Sequence, residues 1–514
     1  MFRYFYARFA LQNPNRTGLA WRAIRWVFLV VGLASASPGL ILAQEEFHAG
    51  FFYDEFKLTL DAGHRTEAVG PFFYSEEKDT QSTWAIPPLF SRMTDPVTDT
   101  EENDFLYPIL TYDRYGGQYR WQFCQLLGFS GGPTQTAKDK DRFAIFPLYF
   151  QQRSSNPSND YTAFVPFYGT LKKRFFRDEI HFVMFPIYSE TRKKDVVTDN
   201  YVYPFVHVRH GDGLDGWQFW PFYGTEHKEI TWKTNSFGDS SLNPGHDNSF
   251  IIWPLYMRDM SGIGSTNPTS RTFSLPLFSV ERSPYRDSTM VIWPFFGHVT
   301  DRGKMYTEWD APWPLIVFAR GEGKYTSRVW PFFSHAHNAT LTSDFYLWPI
   351  YKYNRLHSAP VDQERTRILF FLYSDMIEKN TEMGTTRRRV DFWPFYTYHL
   401  DPNGNTRLQV LAILEPFLVG AHKIKRDWSP LWSLWRSERN AKTGAASQSV
   451  LWNLYRHDSS PTNSSRSVLF GLYQSHSDEE GTHRRLFFLP TGHKDKKPAE
   501  AAPAPKGGEA APTK

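Results

Sequence analysis

A four-residue pattern of aromatic, proline, bulky apolar residue and aromatic recurs along this chain, and it restricts the fold more than any other feature. It reads Trp220-Pro221-Phe222-Tyr223, Trp253-Pro254-Leu255-Tyr256, Trp293-Pro294-Phe295-Phe296, Trp330-Pro331-Phe332-Phe333, Trp348-Pro349-Ile350-Tyr351 and Trp393-Pro394-Phe395-Tyr396. Looser copies include Phe146-Pro147-Leu148-Tyr149 and Phe185-Pro186-Ile187-Tyr188. The proline slot can be followed from Pro71 to Phe488 through 22 positions spaced about 20 residues apart, a period that marks a repeat architecture. Sixteen of the 22 slots hold proline, while others keep only the apolar frame, as in Trp452-Asn453-Leu454-Tyr455. The frame is therefore the constant part and proline its usual centre.

Each period joins an apolar stretch to a polar one rich in turn residues. Gly211 to Gly216, Asp301-Arg302-Gly303-Lys304, Gly321-Glu322-Gly323-Lys324 and Asp401 to Asn405 tolerate positive φ or bond locally to their own backbone, so they predict hairpin turns. The segments between are rich in Phe, Tyr, Trp, Val and Ile, which suits strands. No apolar series at helical spacing survives the turn interval. The expected class is all-β, with about 22 repeats of roughly 20 residues.

Alternation along a strand divides each repeat into two faces. Around Pro221, Gln218, Trp220, Phe222 and Gly224 fall on one side, and Phe219, Pro221, Tyr223 and Thr225 on the other. Around Pro394, Trp393 and Phe395 oppose Phe392, Pro394 and Tyr396. Both faces are apolar at the centre and need cover there. An up-and-down antiparallel β-barrel of outer-membrane type supplies it, with lipid on one face and a lumen on the other. The segment length and even slot number suit such a barrel, which also removes exposed sheet edges.

Three features oppose the barrel. Proline cannot donate to a ladder, the turn lengths do not alternate between short and long, and tryptophan sits at segment centres instead of at the ends. The alternative is a β-solenoid or propeller of stacked hairpins, in which the chain turns at the proline slot and each period gives two short strands. Stacked β-sandwiches are a third form. The barrel is the expectation taken forward, with the chain running straight through each tetrad.

The chain has 514 residues, 17% of them aromatic, yet its mean hydropathy is only −0.50, which excludes a helical membrane protein. Arg3, Arg8, Arg16, Arg22 and Arg25 precede the apolar run Trp26 to Leu33, and small residues follow. This basic, apolar, small layout predicts an export signal over residues 1–43, cleaved after Ala36 or Ala43. An uncleaved anchor is the other reading. The single Cys124 suits an exported protein without disulfides. Residues 44–65 are expected as a connector, in which Gly50 to Tyr53 resembles a degenerate repeat, and 66–490 as the repeat array. The Lys/Pro/Ala-rich stretch 491–514 is expected as a disordered tail. The interval from Pro221 to Pro254 carries extra sequence, expected as a surface loop.

Chemistry-bearing motifs are few. His335 and His337 have the spacing of two ligands on one strand face, but no third ligand is in view. His207 and His210 near Asp212 and Asp215 read the same way. Gly211-Asp212-Gly213 resembles a calcium loop in composition only. No nucleophile elbow, phosphate loop or dinucleotide fingerprint is present, and the net charge of +4 is spread without a nucleic-acid arm. No catalytic, cofactor or metal residue is assigned, no cofactor is expected, and the protein is expected not to be an enzyme. Lipid of an outer membrane is the expected partner, in a pore or structural envelope protein. Glycan or protein binding by a periplasmic or secreted form is the alternative. A repeat-breaking segment is the best place for function, so attention falls on the Thr225–Ser249 insertion and the polar turns.

Overall fold

A computed structural model describes residues 48–133, 140–235 and 237–495. The expected signal segment, and residues 496–514 of the stretch expected as a tail, lie outside them. The described chain is all-β: 45 strands of four to eight residues, with a few single-turn helical segments. Forty-three of the strands join one antiparallel sheet, each pairing with its neighbours in sequence. The first, Tyr53–Lys57, pairs only with Gly63–Ala68, and the last, Leu489–Asp495, only with Gly481–Leu486, so the ladder is open. The sheet thus begins inside the stretch expected as a connector.

The expectation that the chain runs straight through each tetrad is wrong. Phe219 pairs with Tyr223 across Pro221, Val329 with Phe333 across Pro331, and Phe392 with Tyr396 across Pro394. The backbone reverses at each, giving two short strands per period, as in the hairpin alternative. At Pro221 the turn is closed by the Phe222 N–H donating to the Phe219 carbonyl at 2.8 Å. Neighbouring turns then bond to each other. Trp253 N–H donates to Pro221 O and Ile252 N–H to Phe222 O, both at 2.6 Å, and Trp348 N–H donates to Pro331 O at 2.7 Å. The slot therefore supplies an acceptor and needs no donor, which is the capacity proline has. Where proline is missing, left-handed residues make the bend: Cys124 and Gln125 at φ 47° and 58°, Trp452 and Asn453 at 52° and 64°.

The polar turns form the hairpins expected of them. Asp212 and Gly213, at φ 55° and 69°, are the two central residues between the paired Gly211 and Leu214, the geometry of a type I′ turn. Asp401 accepts from the backbone N–H groups of Asn403 at 2.8 Å and Asn405 at 2.9 Å. Because strands alternate in direction, every tetrad turn lies on one edge of the sheet and every polar turn on the other. The Pro221–Pro254 extra sequence, expected as a loop, holds a separate hairpin, Thr231–Thr234 with Ser240–Asn243.

The two faces differ in chemistry. One carries a row of aromatic and aliphatic residues beside the tetrads, including Phe219, Tyr223, Ile251 and Tyr256 in consecutive register. The other is polar. Its row next to the tetrads runs through Ser189, Asn200, His207, Gln218 and Gly224. The following row carries cross-strand ion pairs, Arg271–Glu281 at 3.1 Å and Arg407–Glu438 at 2.7 Å. Small residues after the tetrad let neighbouring strands approach. A Cβ on Gly169 would lie 2.2 Å from the Ala163 Cα, beside the apolar cluster of Phe150, Leu171 and Phe182. Gly169→Val is expected to destabilise the fold by about 2 kcal/mol through overpacking, read as a lower unfolding temperature.

The first strands touch the last through side chains. The segment between Thr406–Val410 and Trp435–Arg439 contains two short helices, His422–Asp427 and Ser429–Trp432. From the first, Arg426 pairs with Glu102 at 2.8 Å and with Asp104, and Lys423 pairs with Asp104 at 3.0 Å and Asp113 at 2.5 Å. Arg436 and Asn453 both donate to Glu67 at 2.7 Å, and the Tyr74 hydroxyl donates to Arg426 O at 3.0 Å. Burial pushes the Asp427 carboxyl up to about 6 despite Arg426 beside it at 3.4 Å. An unfolded aspartate titrates near 4, so folding takes up a proton between about pH 4 and 6, and this group destabilises the fold increasingly as pH rises through that window. Asp427→Asn is therefore expected to be about 2 kcal/mol more stable than the parent at pH 7, with the difference gone near pH 4, in denaturant titrations at both values.

Candidate functional site

The feature that packing within the sheet leaves unexplained is the tetrad edge. At the turn tips Phe222 is 55% exposed, Phe295 46% and Phe332 61%. Half-exposed aromatics of this kind each leave about 100 Å² in contact with solvent, so a dozen already exceed the few hundred Å² of a usual monomer's apolar patch. The band consists of three turn residues and one strand row, about 10 Å deep. Beyond it the sheet becomes more polar, although a second row on the aromatic face keeps exposed rings in places, Trp121, Trp217 and Trp309 among them.

The residue two places before proline sharpens the point. Ile252, Ile292 and Leu347 have φ values of 49°, 48° and 46°, and each is more than half exposed. Met184 and Val202 repeat the arrangement at φ 48° and 49°. The left-handed region costs an L-residue roughly 1–2 kcal/mol, most for a β-branched one, and glycine or asparagine would avoid that cost. An apolar side chain held there, facing outward and repeated along the edge, has a purpose other than making the turn. Tryptophans line the same edge in neighbouring pairs, Trp220 with Trp253 and Trp330 with Trp348, ring centroids 5.8 Å apart in both.

A cavity of about 450 Å³ opens near the base of the insertion, between Trp220 and Trp253 at the edge and Gln218, Glu226 and Asn248 on the polar face. Gly216 and Gly224 leave room in its floor. His207 lines it, stacked on Tyr203 at 5.5 Å, and burial followed by the nearby Arg209 charge lowers its pKa. Glu226 is held by Arg209 and, at 2.7 Å, by His246. The insertion expected to attract function thus contributes Glu226, Asn248 and Ser249 to a concavity, while its own hairpin stands apart from the sheet.

The other residues singled out in the sequence do not converge on a site. His335 and His337 do share a face, with ring centroids 5.4 Å apart, and His335 bonds Asp344 at 2.7 Å. Among the described residues no group of three or more His, Cys, Asp or Glu side chains could hold a metal. His207 and His210 lie on opposite faces of one strand, so they point apart. Asp212 is engaged by Lys233 at 2.8 Å and Lys228 at 3.6 Å, in a turn and not in a calcium loop. A short basic run, Arg387-Arg388-Arg389, lies inside the paired strand Thr385–Phe392, where Arg388 meets Asp375 and Arg389 meets Asp391, both at 2.8 Å. The outward left-handed residues were missed in the sequence, although an aliphatic residue regularly precedes the Trp-Pro pair. No protein-family model matches this chain, and no curated protein is detectably similar to it.

Proposed function

We propose that this protein is a non-enzymatic component of the cell envelope that seats its tetrad edge in the boundary of a lipid layer. The observation that carries this reading is the row of apolar residues held outward in left-handed conformations, Ile252, Ile292 and Leu347 among them. Three further points support it. The part of the band that is continuous along the edge is about 10 Å deep, which fits the 5–10 Å to which interfacial segments sink. Tryptophan is favoured at such boundaries. The opposite edge is built of charged and Asn/Gly turns that belong in water.

A lipid-spanning pore would need strands of about 9–11 residues. These have four to eight and carry ion pairs in the outer half of the aromatic face, Arg355–Asp362 and Arg388–Asp375 at 2.8 Å. The edge-seated reading therefore replaces the pore expected from a single pass per period. Flotation tests it: the full chain, mixed with phosphatidylcholine vesicles, is expected to rise with them through a density gradient. Recovery of all the protein in the soluble fraction without detergent would rule the reading out.

A second reading is favoured by the cavity alone. Two indole rings beside Gln218, Asn248 and Glu226 give the apolar platform and planar polar groups that a sugar ring requires. A signal on a glycan array that disappears in Trp253→Ala would support it.

A further inference from the structure

On the polar face most cations meet a carboxylate. Four near the tetrad edge do not: Arg328, Lys352, Arg365 and Arg367. Lys352 and Arg367 oppose each other directly across two strands, and Arg365 stands two residues from Arg367 on the same face. Arg328 lies in the same row as Lys352, reached through Ser334 and Phe345. Among the described residues none of the four forms an ion pair. Arg365 Nε donates to Ser374 Oγ at 3.3 Å and Arg328 Nε to Ser334 Oγ at 3.4 Å, while Arg367 Nε is buried without a hydrogen-bond partner.

The nearby acids form no ion pair with the four. Asp391 is held by Arg389 at 2.8 Å and Thr397 at 2.7 Å. Asp310 sits two strands beyond Arg328 in the same row, and burial and Glu308 raise it to about 6 against the opposing pull of Lys324 and Arg328. Glu364 points to the other face. The cluster's own charge is felt within it. Burial, then Arg367 and Arg328, lower the Lys352 pKa, and burial, then Arg367, lower that of Arg365. Like charges gathered in a partly desolvated row are a standing cost, which an anion would relieve.

Position indicates which anion. Arg328 precedes Val329-Trp330-Pro331, and Lys352 follows Pro349-Ile350-Tyr351, so both stand one residue behind the apolar row. Trp330, Trp348 and Phe370 lie against one another on the adjoining edge, with Trp348 and Phe370 4.9 Å apart. A group that is anionic at one end and apolar at the other fits both surfaces at once. We propose that Arg328, Lys352, Arg365 and Arg367 bind a phosphate group, supplied by the headgroup of an anionic lipid whose chains lie along the Trp330–Trp348 edge. This rests on the lipid-edge reading and names the lipid class.

The test compares the full chain on vesicles of phosphatidylcholine alone and on vesicles with about one-third phosphatidylglycerol, where each surface cation is worth about fivefold in affinity. The wild type is expected to bind the anionic vesicles at least tenfold more tightly. Lys352→Gln/Arg367→Gln is expected to lose that increment, keep its binding to phosphatidylcholine and melt no lower than the parent, since it removes mutual repulsion. Arg320→Gln, a cation on the aromatic face, is expected to keep the increment. A double variant that prefers anionic vesicles as strongly as the wild type overturns the proposal. Titration with inorganic phosphate separates the sources: saturation by phosphate without any preference for anionic vesicles overturns the lipid assignment. Failure to bind either vesicle sinks the edge reading and the headgroup with it, and the phosphate site then stands or falls on that titration.

Discussion

Replacing Phe222, Phe295, Phe332 and Phe395 together with aspartate is expected to reduce binding to phosphatidylcholine vesicles by about a thousandfold while leaving the sheet intact. Full burial of a phenylalanine side chain is worth about 1.5–3 kcal/mol, and these tips are about half exposed, so each contributes about 1 kcal/mol on entering lipid. The four turns are separated along the edge and their losses should add. Four such losses make about 4 kcal/mol, or three powers of ten, before the added carboxylates oppose insertion. The ladder should survive because the bonds the tips make to neighbouring turns, such as Ile252 N–H to Phe222 O, use main-chain atoms that the substitutions keep. What the substitutions remove within the sheet is local packing, such as the Phe219–Phe222 and Phe392–Phe395 ring pairs at 5.3 and 4.9 Å. Far-ultraviolet circular dichroism should therefore be unchanged. A matched change at the polar edge, Glu322→Ala, should leave flotation as it was. If the four-site variant floats like the parent, the tetrad edge is not the lipid-facing surface.

The sequence made the strand class, the period and the polar hairpins legible, because turn residues and strand formers announce themselves locally. It did not show the direction of the chain at the tetrad, and the reason is parity. Phe219 and Tyr223 are four residues apart, so they share a face whether the strand runs straight or folds back over the three residues between. Gln218 and Gly224 behave the same way and are in fact cross-strand partners. Face alternation was therefore blind to the choice. The signals that did discriminate were proline's missing donor, the even turn lengths and the central tryptophans, each of which opposed the straight strand. The small residue after the second aromatic, as in Gly224, Gly297, Ser334 and Ser374, also marks the hairpin's return strand. The basic cluster was invisible for another reason: Arg328, Lys352 and Arg367 are far apart in sequence, and only the register puts them in one row.

Arg426→Ala is expected to cost about 3–5 kcal/mol, because it strips the guanidinium from acids that the fold has already taken out of water. Asp104 is 1% exposed and would keep only Lys423 at 3.0 Å. Glu102 would lose its 2.8 Å partner and keep His422 at 3.2 Å. Burial works to raise the Glu102 pKa, but His422, Arg426 and Lys423 outweigh it and hold it at about 2. An unfolded glutamate titrates near 4.3, so this carboxylate stabilises the fold above that value, and its contribution is lost as pH falls toward 2. The substitution should therefore do two things in denaturant titrations. It should lower the midpoint at pH 7, and it should flatten the fall in stability between pH 4 and 2. Hydrogen exchange should locate the loss, with faster exchange in Thr100–Phe105 and His422–Asp427 and little change at Val361–Ile368, which lies far along the ladder. An unchanged midpoint at pH 7 would mean that these ion pairs do not hold the first strands to the last. In that case the sheet is stabilised strand by strand, through the backbone ladder and the bonded tetrad turns alone.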